Sequence, residues 1–227
     1  TIKMFFKWCV DNKYLKQNPT NKIKRIKFSR NPKQEVTIDE FNKLLQNLDL
    51  TLFSEYRDYV IIQLLLDTGM RIGECLELKE DDVDIRNKTI FISAEIAKGR
   101  KDRYVFFSNI MQRTLEKWLI YKDRYVGSEY LFVTNRGGQY QIHSFEKHMR
   151  NYLKRAKIDK KITPHTLRNN FAKRFLMSGG DIYTLSKLLG HSSVRVTEQA
   201  YLDLTTSDIR KNYLKFSPLE NMKKKNW

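Results

Sequence analysis

The stretch LLLDTGMRIGECLEL, residues 64–78, decides the fold because it joins the most apolar helix of the chain to a charged turn. The helix predicted over about residues 55–67 is apolar nearly all round, a pattern typical of a helix buried at the centre of a domain. Gly69 is expected to stop this helix. Arg71 therefore follows directly after the buried centre, and Glu74 lies three residues further on.

Helices and a single hairpin are predicted around this stretch. TIDE, residues 37–40, is a capping box, in which the threonine hydroxyl and the glutamate carboxylate satisfy exposed amides at a helix start. β-rich runs at residues 89–92 and 104–107 flank the basic residues 98–100, which predicts a hairpin with a basic tip. Further helices are predicted near residues 109–122, 145–156 and 164–177, with a short strand at 130–133.

The charge of the chain indicates its partner. The 227 residues include 43 Lys and Arg against 26 Asp and Glu, a formal net charge of +17, while 41% are apolar and can form a core. A basic globular surface attracts phosphate backbones, with binding that weakens as salt rises. An anionic membrane surface is the rival partner, but no apolar run approaches the ~20 residues of a spanning helix. Cys9 and Cys75 are far apart, which predicts no disulfide framework and a reducing, intracellular compartment.

Two further motifs supply groups that bind anions. In TPHTLR, residues 163–168, the threonine is expected to cap a helix whose first residue is the proline. His165 and Arg168 share a face in its first turns, where free amides and the helix dipole also attract negative charge. In LGHSSVRVTEQAY, residues 189–201, the glycine is expected to close a helix, so His191 lies in a turn.

Each of these residues also has a plain structural explanation. Arg71 could pair with Glu74 as a helix salt bridge, and Lys98 could be one more exposed lysine. His165 could cap its own helix, and His191 could pack as a neutral histidine in a turn. The tyrosine that ends the last motif is one of 12 in the chain and carries little weight alone.

In this order and spacing, the motifs resemble those of the tyrosine recombinase family, the phage-integrase-like enzymes that cut and rejoin DNA through a tyrosine. The resemblance covers about residues 37–218 and rests on LLLDTGMRIGECLEL, TPHTLRNNFA and LLGHSSVRVTEQAYL. Together with the helix-rich pattern, it implies a mainly α fold with a small antiparallel sheet (α+β), the DNA breaking-rejoining catalytic fold. By this resemblance the catalytic residues are Arg71, Lys98, His165, Arg168, His191 and Tyr201, with Glu74 supporting Arg71.

Two positions depart from the family pattern. Asn169 stands where the family often has a histidine after the second arginine. The step from His191 to Tyr201 is ten residues where nine is common. Tyr213 and Tyr183 are therefore kept as weaker alternatives for the nucleophile.

Four segments are predicted along the chain. Residues 1–19 are expected to be the last helix of a core-binding domain that is otherwise cut away, and residues 20–36 a basic linker. Residues 37–204 are the expected catalytic domain, and residues 205–227 a tail helix that docks on a neighbouring protomer or on its own domain. A solvated charged loop is the alternative for the linker. The predicted DNA contacts are Lys22, Lys24, Arg25, Lys27, Arg100, Lys101 and Arg103.

The residue types suit cleavage of a phosphodiester without a metal. Two planar guanidiniums can hold the non-bridging oxygens of a five-coordinate phosphorus. A phenol forms a phosphotyrosine close in energy to the bond it replaces, so the break can be reversed. Lys98 is expected to protonate the leaving 5′ oxygen, His165 to relay the proton of the phenol, and His191 to donate a hydrogen bond to a phosphate oxygen.

These expectations define a function. No HExxH motif or P-loop is present, and His143 and His148 have no acidic partner at metal spacing, so no metal or other cofactor is expected. We predict a site-specific DNA recombinase or integrase that acts on double-stranded DNA as a homotetramer, through a 3′-phosphotyrosine and a Holliday junction, in the cytoplasm. The alternatives are a type IB-like topoisomerase or telomere resolvase with the same chemistry, and a noncatalytic basic DNA-binding module.

Overall fold

The computed structural model describes residues 2–23, 35–97, 101–191, 193–201, 210 and 213, with 196 and 199–201 described by their backbone alone. The chain divides into two compact units, residues 1–32 and 33–227. No helix within the described ranges is long and apolar enough to cross a membrane.

Within residues 2–23, the described part of the first unit, one helix is followed by turns. Helix α1 spans Ile2–Asp11, and the Trp8 ring stacks on the Tyr14 ring with centroids 5.5 Å apart. Lys22, a predicted DNA contact, is exposed in a later turn. The other predicted contacts of the linker, Lys24, Arg25 and Lys27, lie outside the described residues.

The second unit, in its described residues, is helical with one small sheet. Its helices are α2 (Ile38–Gln46), α3 (Phe53–Thr68), α4 (Ile72–Glu77), α5 (Asn109–Tyr125), α6 (Ile142–Arg155), α7 (Pro164–Met177), α8 (Ile182–Leu189) and α9 (Val194–Tyr201). Strands β1 (Val83–Asp84), β2 (Thr89–Ile92) and β3 (Arg103–Phe106) form an antiparallel sheet in the order β1-β2-β3. This is the mainly α architecture with a small antiparallel sheet that the sequence predicts. The tail at residues 205–227 lies outside the described residues except for 210 and 213.

Helix α3 is the centre of the second unit, as its all-round apolar sequence predicts. Val60, Ile61, Leu64 and Leu65 are all fully buried. The helix packs against both α5 and α7. None of the side chains of α3 is fully exposed, which explains why its sequence has no broad polar face.

The hairpin positions alternate between the core and solvent. Ile90 in β2 pairs with Val105 in β3, and both side chains are fully buried, whereas the adjacent Tyr104 is exposed. The predicted strand at residues 130–133 is wrong, because its two ends make only isolated bridges to different parts of the chain. These bridges are Lys79 with Tyr130 and Val133 with Gln139.

Local capping signals are confirmed in the structure. Glu40 donates its backbone N–H to Thr37 Oγ1 at 3.1 Å, and Thr37 donates its own to Glu40 Oε2 at 2.9 Å, which completes the capping box. Thr163 Oγ1 accepts from the backbone N–H of Thr166 at 3.2 Å and so caps α7. The short helices α4 and α9 were not predicted from the sequence.

Gly69 makes the close approach between α3 and α7 possible. It ends α3 with φ +67°, in the left-handed region. A Cβ at this position would lie 2.2 Å from Cδ1 of Phe171 on α7. The turn that leads to Arg71 therefore needs glycine for both its backbone conformation and its lack of a side chain.

Gly69→Ala is expected to destabilise the protein by more than about 2 kcal/mol, because the left-handed strain alone costs about 1–2 kcal/mol and the overlap with Phe171 adds to it. Urea unfolding measures the change. Gly127→Ala is the matched control, because a Cβ there meets nothing within 4 Å. Equal stability of the two variants would contradict this account of the turn.

Candidate active site

Arg71 lies in the turn between α3 and α4. Its backbone N–H donates to Glu74 Oε2 at 2.8 Å, and its Nη1 donates to Glu74 Oε1 at 2.9 Å. The same Nη1 lies 3.5 Å from the carbonyl oxygen of Leu189 at the end of α8. The side chain remains 27% exposed, so the guanidinium borders solvent while Glu74 sets its orientation.

Glu74 is a buried carboxylate held between two arginines. Arg103, the first residue of β3, donates Nη1 to Oε1 at 3.1 Å and Nη2 to Oε2 at 2.5 Å. Burial raises the pKa of Glu74, but the hydrogen bonds and charges of Arg103 and Arg71 outweigh it and leave the pKa below its ordinary value. Glu74 is therefore the ionised partner of both guanidiniums.

Arg103 is placed differently from the sequence expectation. The sequence predicts a DNA contact, but its side chain is only 9% exposed and its two terminal nitrogens face Glu74. Its Nε donates to the carbonyl oxygen of Leu188 at 3.2 Å. Arg103 joins the hairpin to α4 and α8 from inside the protein. The local sequence does not indicate this role, because the partners of Arg103 lie elsewhere in the chain.

Arg168 comes from the second turn of α7 and is buried. Its Nη1 donates to the carbonyl oxygen of Gly69 at 2.6 Å, and its Nη2 donates to that of Leu189 at 2.6 Å. Nη2 also lies 3.2 Å from Nε2 of His191. The carbonyl of Leu189 therefore brings Arg168 and Arg71 to one place, although 97 positions separate them in the sequence.

His191 follows the glycine that closes α8 and contacts α9. Its backbone N–H donates to the carbonyl oxygen of Ser186 at 3.1 Å. Its Nδ1 lies 2.7 Å from Oγ1 of Thr197, which is fully buried in α9. Thr197 was not identified from the sequence. It lies four residues before Tyr201, on the same face of a helix, and this spacing could have indicated that it belongs to the site.

The other predicted site residues either line grooves on the surface or lie wholly or partly outside the residues that the structure describes. His165 is exposed at the start of α7 and lines a groove of about 670 Å³ with basic residues of α6. Ala97 and Lys101, at the two sides of the hairpin tip, both line a cleft of about 310 Å³ that also contains His191. Lys98 and Arg100 lie outside the described residues, and Tyr201 is described by its backbone alone, as the last residue of α9.

His148 has a structural environment, in agreement with the interpretation from the sequence. Its Nδ1 lies 2.8 Å from Oδ2 of the buried Asp58, which also accepts from Tyr152 at 2.8 Å and from Tyr140 at 3.2 Å. Among the residues that the structure describes, no cluster of three or more His, Cys, Asp or Glu side chains could hold a metal ion. Asp58, the acidic partner of His148, is 90 positions away in the sequence, so the local spacing of residues could not reveal the pair.

The cluster can bind an anion. Arg71 and Arg103 pair with the carboxylate of Glu74, while Arg168 donates to the carbonyl oxygens of Gly69 and Leu189. In the described part of the chain, the cluster therefore contains three guanidiniums and one carboxylate. Arg71 and the His191 cleft face solvent, while Glu74 and Arg168 fix the geometry from within. Rigid donors of this kind suit an oxyanion such as a phosphate.

The sequence and the fold are similar to those of known proteins. The sequence model described as the phage integrase family matches residues 34–208. Tyrosine recombinase XerC of Oceanobacillus iheyensis is 30% identical over 227 residues, 97% of this chain and 73% of that protein. The crystal structure of XerA recombinase superposes with a TM-score of 0.71 at 33% identity, over 96% of this chain and 74% of that one. The Tn1549 transposon integrase, in complex with a circular intermediate DNA, shares the fold with a TM-score of 0.76 at 18% identity, over 95% of this chain and 76% of that one.

Glu74→Gln tests the buried charge. A lowered pKa means that the ionised carboxylate stabilises the folded state above its ordinary pKa of 4.5, and that this contribution is lost as the pH falls through the lowered value. We expect Glu74→Gln to reduce the free energy of unfolding by about 3 kcal/mol at neutral pH, because the buried guanidinium of Arg103 and the partly exposed one of Arg71 lose their counter-charge. The deficit is expected to shrink as the pH is lowered.

Urea unfolding of both proteins from neutral to acidic pH measures this difference. The exposed Glu146 supplies the control Glu146→Gln, which is expected to leave stability nearly unchanged. A deficit that is the same at neutral and acidic pH would contradict the charge as its cause.

Proposed function

Since this chain belongs to the phage integrase family of tyrosine recombinases, enzymes that bind DNA and transfer its strands, we propose that it is a site-specific recombinase or integrase. In this proposal it cleaves and rejoins double-stranded DNA through a 3′-phosphotyrosine, without metal or ATP, by way of a Holliday junction. The observation that carries the proposal is the convergence of Arg71 and Arg168 on the carbonyl of Leu189, beside His191.

The scissile phosphate is proposed to bind to the two arginines. Negative charge grows on its non-bridging oxygens as the phosphorus becomes five-coordinate, and guanidinium forks can hold those oxygens bidentately. Arg71 is oriented by Glu74 and remains partly exposed, which suits direct contact with an oxygen. Arg168 is held by the carbonyl oxygens of Gly69 and Leu189, so little reorganisation is needed when the substrate binds.

Tyr201 is proposed as the nucleophile. It is the last residue of α9, and Thr197 in the same helix contacts His191, so the backbone that carries Tyr201 is attached to the cluster. Attack by the phenol oxygen on phosphorus forms the phosphotyrosine and releases the 5′ oxygen of the next nucleotide. The reverse attack by a 5′ hydroxyl restores a phosphodiester, so no external energy source is needed.

Proton transfer is proposed to involve the hairpin and α7. Ala97 and Lys101 border the cleft at His191, which supports Lys98, between them in sequence, as the acid that protonates the leaving 5′ oxygen. His165, exposed at the start of α7, would take or relay the proton of the phenol. His191 would donate to a phosphate oxygen.

Lysines and arginines outside this cluster are proposed to hold the DNA. The net charge of +17 supports binding along a phosphate backbone, with Lys22, Lys24, Arg25, Lys27, Arg100 and Lys101 among the contacts. Assembly as a tetramer on paired sites, exchange of the tail at residues 205–227 between protomers, and action in the cytoplasm belong to the same proposal. The domain boundaries predicted from the sequence remain part of it as well.

Tyr201→Phe tests the proposed chemistry. A duplex nicked near the cleavage site traps the covalent protein–DNA adduct, because the short released strand diffuses away. The wild-type chain is expected to form the adduct, and Tyr201→Phe is expected to bind DNA equally but form none, because only the hydroxyl is lost. The exposed Tyr183 and Tyr213 supply the controls Tyr183→Phe and Tyr213→Phe, which are expected to form adduct.

The products separate the alternatives. Adduct without junctions between two duplexes would favour a topoisomerase or a telomere resolvase. If cognate DNA gives no adduct with the wild-type chain, the protein is a noncatalytic DNA-binding module. An adduct in Tyr201→Phe, mapped by peptide mass to another tyrosine, would reassign the nucleophile.

Arg71→Lys tests whether geometry matters beyond charge. Lysine keeps the positive charge but loses the planar fork, so DNA affinity is expected to change little while single-turnover cleavage falls by about 100-fold. Titration of labelled DNA and the rate of adduct formation measure the two quantities. Arg113→Lys, on the exposed side of α5, is the matched control and is expected to change neither. Equal losses of affinity and rate would make Arg71 a DNA-holding residue only.

A further inference from the structure

The imidazole of His191 lies between two partners with different hydrogen-bonding capacity. Nη2 of Arg168 is 3.2 Å from Nε2, and Oγ1 of Thr197 is 2.7 Å from Nδ1. A guanidinium has only N–H groups to offer, whereas a hydroxyl oxygen can accept as well as donate. The two contacts therefore constrain which ring nitrogen carries the proton.

The contact with Arg168 selects one tautomer. Nε2 must accept from Nη2, because an N–H on Nε2 would face a second donor. A neutral imidazole carries one N–H, so the proton lies on Nδ1 and is donated to the Oγ1 of Thr197. His191 is thus a neutral Nδ1–H imidazole when both contacts are made.

Thr197 is well placed to hold this state. Its side chain is fully buried, so water does not compete for its hydroxyl. The backbone of His191 is fixed from α8, through its N–H to the carbonyl oxygen of Ser186, whereas the ring is fixed from α9 through Thr197. Thr197 and Tyr201 are four residues apart in α9 and so lie on the same face of the helix.

We propose that Thr197 is a positioning residue that couples the location of the nucleophile's helix to the tautomer and orientation of His191. This inference rests on the proposed function. The Thr197 oxygen accepts from Nδ1–H both in the neutral tautomer and in the imidazolium, so Nε2 is the nitrogen that gains or loses a proton. The proposed hydrogen bond from His191 to a phosphate oxygen therefore comes from Nε2–H of the imidazolium. His191 has this tautomer and orientation only while α9 is docked. The ring is therefore positioned for the reaction only when the helix that carries Tyr201 is in place.

Removal of the hydroxyl separates this role from packing. Thr197→Val keeps the size and branching of the side chain but removes the acceptor for Nδ1–H. The Nε2–H tautomer then becomes populated and its N–H opposes Arg168. We expect DNA affinity to be unchanged and the single-turnover cleavage rate to fall about tenfold, the effect of one lost hydrogen bond of about 1.4 kcal/mol. Thr197→Ser retains the hydroxyl and is expected to keep most of the rate.

Nitrogen NMR of the full chain, labelled with ¹⁵N histidine, reads the tautomer directly. The chain has four histidines, and the signals of His191 are assigned by their loss in His191→Gln. The wild-type chain and Thr197→Ser are expected to show a protonated Nδ1 and an unprotonated Nε2. Thr197→Val is expected to shift His191 toward the other tautomer. Thr114→Val, which removes a hydroxyl that bonds the carbonyl of Ile110 in α5, is the control for both measurements.

The outcomes decide the inference independently of the function. A wild-type His191 that is mainly Nε2–H would overturn it, and so would a folded Thr197→Val with wild-type tautomer and wild-type rate. Thr197→Ala makes the same comparison if the valine variant does not fold, as judged by its thermal melt. Absence of adduct in the wild-type chain would count against the proposed function alone, because the NMR measurement needs no cleavage.

Discussion

Glu74 places a negative charge inside the protein, and two guanidiniums from different parts of the chain neutralise it. Arg71 reaches it from the turn after α3, and Arg103 reaches it from the start of β3. A buried carboxylate without partners would be strongly unfavourable, so the three groups require one another. This requirement brings together the hairpin and the turn between α3 and α4, and it orients Arg71, which borders solvent.

The last carbonyls of α8 provide the second meeting point. Arg103 donates to the carbonyl of Leu188, Arg168 donates to that of Leu189, and Nη1 of Arg71 lies 3.5 Å from the latter. The final carbonyls of a helix lack partners within the helix and carry the negative end of its dipole, so cations are favoured there. The end of α8 therefore gathers the guanidiniums from α7, β3 and the α3 turn, next to the turn that holds His191.

Much of this arrangement follows from the sequence alone. The caps at Thr37 and Thr163 and the stops at Gly69 and Gly190 are local signals, because each depends on atoms only a few residues away. The all-round apolar α3 and the alternating hairpin indicated the buried centre and the small sheet. The order of the motifs indicated the family, which the comparisons confirm. At residues 130–133, where pairing is limited to two isolated bridges, a local propensity for strand was not enough to form a strand.

The tertiary structure decided how the functional groups are held. Arg103 lies in a basic segment whose sequence is typical of a protein surface. Its guanidinium is nevertheless buried, because it pairs with Glu74, 29 positions earlier in the chain. Thr197 contacts His191 only because α9 packs against the turn after α8, which brings the threonine hydroxyl to the imidazole. Hydrogen bonds and charge pairs of this kind are set by which elements pack together, and no periodicity in the sequence records that choice. The sequence determined which groups the site contains, and the packing of α8 against its neighbours determined their orientation.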